Sequence, residues 1–231
     1  MGFAAAATST APAAATTAPT AAQAASTAAT PTAIRAATAP APARATTAPP
    51  VILVFGDSIS AGYGLGANPG WVGLLDVKLK AQGYGYQMIN ASVSGETTAG
   101  GLARLPRALS VHRPAIVILE LGANDGLRAL PAAQMRANLM RMVSLSQQAK
   151  AAVLLVGMRM PPNYGPRYTE QFHQVYDEVA RYFKIPLVPF LLDGVATDAK
   201  LMQADNLHPN VAAQPKLLET VWPALERMLK K

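Results

Sequence analysis

Residues 51–64 read Val51-Ile52-Leu53-Val54-Phe55-Gly56-Asp57-Ser58-Ile59-Ser60-Ala61-Gly62-Tyr63-Gly64. The first five form an unbroken apolar run rich in branched side chains. Because no polar residue alternates with them, the run suits a strand covered on both faces, the pattern of a parallel sheet. Gly56 ends the run and Asp57 and Ser58 follow at once. Open parallel sheets bind ligands outside the carboxyl ends of their strands, so a serine placed here projects where a substrate would lie.

Four further stretches read as strands: residues 86–90, shorter and more polar; 115–121; 152–156; and 186–188, a short edge strand behind Pro186. Helical patterns separate them. Leu74, Leu75 and Leu79 follow Trp71 at helical spacing, and Pro131 suits the first position of a helix burying Met135, Leu139, Met142 and Val143. Residues 168–183 and 217–229 complete the set, with Pro223 expected to kink the last helix. Strand and helix thus alternate five times, which predicts a three-layer α/β/α domain around a five-stranded parallel sheet.

The first fifty residues are nearly all Ala, Thr and Pro, with Arg35 and Arg44 their only charges. They offer no cluster able to build a core and are expected to be disordered. Residues 51–231 form the expected single domain, long enough to bury roughly 70% of the surface of the unfolded chain. The formal charge is +7, of which +5 falls after residue 50, scattered rather than gathered into a stripe. Nucleic acid is therefore not an expected partner, since phosphate tracking needs clustered Lys and Arg with aromatic platforms. Weak attraction to an anionic membrane surface, a peripheral contact at most, is all this basicity implies. The absence of cysteine excludes disulfides and thiolate chemistry. No signal peptide is readable at Met1, although residues 41–45 have the small side chains a processing enzyme accepts, and no apolar stretch reaches transmembrane length.

Four segments carry candidate chemistry. Asp57 and Ser58 follow the first strand; taken alone such a pair more often caps a helix or shapes a turn. Gly62-Tyr63-Gly64-Leu65-Gly66-Ala67 approximates a dinucleotide fingerprint, but its glycines begin too far beyond the strand, and the second strand ends at Asn90 rather than at an acidic residue. After the second strand stands Asn90-Ala91-Ser92-Val93-Ser94-Gly95-Glu96, and after the third Gly122-Ala123-Asn124-Asp125-Gly126. Gly95 lets a backbone amide approach a ligand, and Asn124 supplies a side-chain amide. Donors of this kind suit the oxyanion of acyl transfer, where removing one costs about 2.7–4 kcal/mol.

The last segment is Asp205-Asn206-Leu207-His208-Pro209-Asn210. A serine hydroxyl needs a base to take its proton, and the base works best when a carboxylate fixes its tautomer. Asp205 and His208, three apart, serve both needs from one short loop. His112 and His173 have no carboxylate at this spacing and read as ordinary structural residues. Each segment alone is weak, but all four lie at one edge of one sheet. The Gly-x-Ser-x-Gly elbow of α/β-hydrolases is absent.

These four blocks resemble the SGNH/GDSL hydrolase family. Gly100-Gly101-Leu102-Ala103-Arg104-Leu105-Pro106, Asn163-Tyr164-Gly165-Pro166-Arg167-Tyr168 and Ala213-Gln214-Pro215 are similar to its thioesterase I, lysophospholipase and arylesterase branch. The resemblance implies a flavodoxin-like SGNH fold with Ser58 as nucleophile and His208 as general base oriented by Asp205. It implies an oxyanion hole of Gly95, Asn124 and the Ser58 amide, and a mobile substrate-binding loop of Gly126, Leu127, Arg128, Ala129 and Leu130. It further implies no metal or organic cofactor, a small-molecule or lipid acyl ester as substrate, and a periplasmic or secreted location. Ala123, where the family often has glycine, and the Asn206-Leu207 spacer depart from the pattern without touching a reacting group. Asp57 is read as holding the turn. The competing functions are a carbohydrate acetylesterase of the same fold and a noncatalytic acyl-binding protein.

Overall fold

A computed structural model describes residues 48–231 of the chain. Residues 1–47, which include most of the segment expected to be disordered and all of the 41–45 stretch, lie outside the described residues. Five strands form one sheet: β1 (Val51–Gly56), β2 (Gln87–Asn90), β3 (Ile116–Glu120), β4 (Ala152–Val156) and β5 (Leu187–Val188). Their order is β2-β1-β3-β4-β5 and every pairing is parallel.

Among the described residues, seven α-helices accompany the strands: α1 (Ser58–Ala61), α2 (Trp71–Ala81), α3 (Thr98–His112), α4 (Ala123–Leu127), α5 (Ala132–Gln148), α6 (Pro166–Phe183) and α7 (Gln214–Glu226). The chain steps outward from β1 to β2, then returns past β1 to β3 and onward. Right-handed crossovers therefore place α2 on one face and α3, α5 and α6 on the other. Helix α7 packs beside α2, while α3, α5 and α6 lie side by side, giving the three layers that the alternation predicts.

The apolar runs became strands because both their faces are covered. Ile52, Leu53, Val54 and Phe55 are all wholly buried, as are Val117, Ile118 and Leu119 beside them. Each such side chain stabilises the fold by roughly 1.5–3 kcal/mol relative to leaving it in water. Met135, Met142, Met158 and Met160 are also buried, as gap-filling core residues.

The helical patterns named from the sequence include none over Thr98–His112, where α3 stands, and the other differences from expectation lie at element ends. Pro131 is the residue that precedes α5 rather than its first residue, and α6 begins two residues earlier than its apolar stripe. Helix α7 runs through Pro223, and α3 through Pro106, as single helices. The strand order reverses between β1 and β3, so the crevice for a ligand opens at their carboxyl ends. Ser58 and Asn124 follow those two ends directly.

Candidate active site

Ser58 opens α1 immediately beyond β1. Asp57 caps that short helix, its Oδ1 accepting the Ile59 N–H at 3.0 Å, and Gly62 ends it in a left-handed conformation. The turn is thus held from both ends by local bonds. Ser58 itself is 8% exposed.

Beyond β5 the chain folds back on itself before α7. Pro209 pairs with Met202 as an isolated antiparallel bridge, and Asn210 N–H donates to Leu201 O at 2.8 Å. At the tip of this fold, Asp205 Oδ1 accepts the N–H groups of Leu207 and His208, each at 3.0 Å. Its Oδ2 lies 2.7 Å from His208 Nδ1, and His208 Nε2 lies 2.9 Å from Ser58 Oγ. Three residues spanning 150 positions of sequence are joined in a continuous hydrogen-bonded series. The N–H and imidazole of His208, followed by the Leu207 N–H, hold the Asp205 carboxyl down at about 2. It is therefore an anion across the neutral range and can accept Nδ1–H, which leaves Nε2 free to receive the Ser58 proton.

The other two expected donors lie on neighbouring loops. Ala91 N–H donates to Val54 O and Val93 N–H to Gly56 O, while Gly56 N–H donates to Ser92 Oγ, so the loop after β2 runs along the end of β1. Gly95, in this loop, has φ 78°, a backbone conformation that glycine adopts without steric cost. Arg128 Nη2 donates to its carbonyl at 3.0 Å, and Arg104 anchors the same loop through Ala91 O and Glu96. Asn124 stands in the first turn of α4. Buried Asp125 fastens that turn to α3 by accepting both the N–H and the hydroxyl of Thr98. Among the described residues, neither the Ser58 nor the Gly95 amide N–H has a protein acceptor.

Residues 126–130 do not share one environment. Gly126 is buried so closely that an added Cβ would lie 2.3 Å from Met160 Sδ, whereas Arg128 and Ala129 are exposed and Leu127 and Leu130 are half-buried. The hydroxyls of Tyr164 and Tyr168 donate to Leu127 O at 3.0 Å and Leu130 O at 2.8 Å, tying both flanks of the exposed turn to the start of α6. His112 and His173 take no part in the series at Ser58; His173 Nε2 instead lies 3.3 Å from Arg159.

Glu120, the last residue of β3, was not singled out from the sequence. It is fully buried and its Oε2 accepts from the Ser60 hydroxyl at 2.7 Å and from Asp57 N–H at 3.3 Å. Oε1 has no partner. Gly56 makes room for this carboxyl, since a Cβ there would fall 2.5 Å from Oε2. Burial, and next the charge of Asp57, push Glu120 well above the ordinary carboxylate range, which favours the neutral acid. Burial likewise raises Asp57 to about 6, against the opposing pull of Ile59 N–H, His208 and Asn124. A lone acidic residue ending an otherwise apolar run was the available sequence signal for Glu120.

A serine, an imidazole and an anionic carboxylate in series, beside unspent N–H donors, can perform acyl transfer. Comparison with known proteins agrees with this chemistry. Residues 54–214 match the model of the GDSL-like lipase/acylhydrolase family. Over 178 residues the chain is 53% identical to a protein named esterase TesA from Pseudomonas aeruginosa, covering 77% of this chain and 89% of that protein. It is 39% identical, over 77% of this chain and 84% of the relative, to thioesterase 1/protease 1/lysophospholipase L1 of Escherichia coli K12. A crystal structure of TesA superposes with a TM-score of 0.76 at 53% identity, over 78% of this chain and 99% of that one. The fold, the order of the four blocks and these matches together show that the chain belongs to the GDSL-like lipase/acylhydrolase family.

Proposed function

We propose that the protein is a serine esterase that hydrolyses carboxylic esters and acyl thioesters through an acyl-enzyme on Ser58. The observation that carries this reading is the continuous contact from Asp205 through His208 to Ser58, at 2.7 Å and 2.9 Å. His208 Nε2 takes the hydroxyl proton as Ser58 Oγ attacks the acyl carbon. The oxyanion that forms is met by the N–H groups of Ser58 and Gly95 and by the Asn124 amide. Collapse returns the proton to the departing alcohol or thiol and leaves the acyl group on Ser58. Water, deprotonated by the same imidazole, then repeats the attack and frees the acid.

The names of the two relatives, an esterase and a thioesterase and lysophospholipase, support acyl esters and thioesters as the substrate class. Residues 126–130 form one wall of the acyl site in this reading, and the first fifty residues stand outside the catalytic domain. No step calls on a metal or organic cofactor, so a chelator is expected to leave turnover unchanged. A periplasmic or secreted location belongs to the same proposal and is checked by cell fractionation.

The test is a panel of acyl thioesters, short and long p-nitrophenyl esters, lysophospholipids and acetylated sugars, run with the parent and with Ser58→Ala. Turnover of thioesters and simple esters that vanishes in Ser58→Ala supports the proposal. Turnover confined to acetylated sugars gives the acetylesterase reading instead. Acyl binding without product leaves only a carrier.

A further inference from the structure

The fold-back that bears Asp205 and His208 is knit mainly to itself. Asp205 binds two N–H groups and the imidazole of its own loop, Gln203 N–H donates to His208 O at 2.7 Å, and Asn210 Nδ2 donates to Lys200 O and Met202 O. These bonds make Asp205 and His208 move as one body. They do not set the distance of that body from Ser58, which belongs to another loop 150 residues earlier. Gln214 links the base of the fold-back to the start of α2, accepting from Trp71 N–H at 2.9 Å and donating to Asn210 O at 3.0 Å, and two contacts lie nearer the reacting pair. Gln203 Nε2 donates to Pro209 O at 3.0 Å and also to Tyr63 O at 2.8 Å, just past the helix that Ser58 opens. The Tyr63 ring lies 4.6 Å from the His208 ring, centroid to centroid, at a tilt of 41°.

We propose that Gln203, with Tyr63, is a positioning residue that fastens the loop of His208 to the loop of Ser58 and so fixes their hydrogen bond. One amide nitrogen serves both sides: each of its two hydrogens satisfies one carbonyl, one in the base's loop and one in the nucleophile's. Gly64 gives the amide its place, because an added Cβ there would fall 2.1 Å from Gln203 Oε1. The tyrosine covers one face of the imidazole and limits its swing away from Ser58. The inference rests on the proposed acyl-enzyme chemistry, since only there does the Ser58 to His208 distance govern rate. Small errors in the placement of a reacting pair are costly, about 10²-fold for roughly 1 Å.

Gln203→Met tests it, because methionine keeps the length and bulk of the side chain and loses both hydrogen bonds. The readouts are kcat and KM for a p-nitrophenyl ester, the rate at which diethyl p-nitrophenyl phosphate reacts with Ser58, and the melting temperature. The expected result is a fall of about 10²-fold in both kcat and phosphorylation rate, with KM nearly unchanged. Full kcat with only a lower melting temperature overturns the inference, for that is what a purely structural glutamine gives. Should Gln203→Met not fold, Tyr63→Ala decides, since Tyr63 is 53% exposed and outside the core. A slower reaction with the phosphate triester in Tyr63→Ala but not in Tyr63→Phe is expected, and equal rates in both contradict the inference. Ser58→Ala run alongside separates the two claims: if it stays active the acyl-enzyme reading itself fails, and if it is inactive while Gln203→Met is unimpaired only the positioning role fails.

Discussion

The side-chain amide of Asn124 donates to Oδ2 of buried Asp57 at 3.3 Å, across 67 residues of sequence. Asp57 therefore does more than cap α1. It holds the Asn124 amide beside the turn that carries Ser58 and uses one of the two amide hydrogens in doing so. In the proposed mechanism the second meets the oxyanion. Asn124→Ala should lower kcat by about 10²–10³-fold with little change in KM, the pattern of a donor engaged in the transition state. Asp57→Asn should lower kcat by less, about tenfold, because the amide it aims is displaced rather than removed. Steady-state kinetics on one p-nitrophenyl ester checks both.

Asp205 is held by two hydrogen bonds from His208 and a third from Leu207 N–H, yet its side chain is 38% exposed. Water can partly replace it. Asp205→Ala is accordingly expected to reduce kcat by about 10³–10⁴-fold, and His208→Ala by more. Because the folded state holds Asp205 at about 2, below its ordinary value of 3.8, its contribution to stability is present above that ordinary value. The contribution is lost as pH falls toward 2. Denaturation of the parent and of Asp205→Ala should therefore differ near neutral pH and converge in strong acid.

Glu120 behaves in the opposite sense. Burial raises its carboxyl, so the folded protein keeps a proton that the unfolded chain releases above the ordinary value of 4.5. Stability then declines as pH rises past that point. In Glu120→Gln, which cannot ionise and can still accept from Ser60 and Asp57 N–H, part of that decline should disappear. Urea unfolding at pH 5 and pH 8 measures it: the variant gains on the parent at pH 8 relative to pH 5. Equal pH dependence in the two proteins would mean that Glu120 is ionised in the folded state.

The sheet was legible in the sequence because its strands are buried on both faces and so leave continuous apolar runs, as in residues 52–55 and 116–119. Helix ends were less legible. Prolines such as Pro131 and Pro166 are compatible with more than one position in a first turn, and apolar stripes do not extend to exposed termini. Ser58, Asp205 and His208, which the fold brings together, could be picked out as candidates because acyl transfer uses those residue types and two of them share a loop. Gln203 and Tyr63 could not, since they meet through a backbone carbonyl at a separation of 140 residues, and a carbonyl has no residue signature. Glu120 stood out as a lone acid in an apolar run, but its partners, a backbone N–H and a serine outside its own strand, left no pattern to read.

In the proposed reaction the hydroxyl of Ser58 becomes acylated with His208 as its base. Mass spectrometry of the protein quenched during turnover of a slow p-nitrophenyl ester tests this directly. One added acyl group is expected on the peptide containing Ser58 in the parent, and none there in His208→Ala. An acyl group found only elsewhere, or steady hydrolysis in Ser58→Ala, would contradict it.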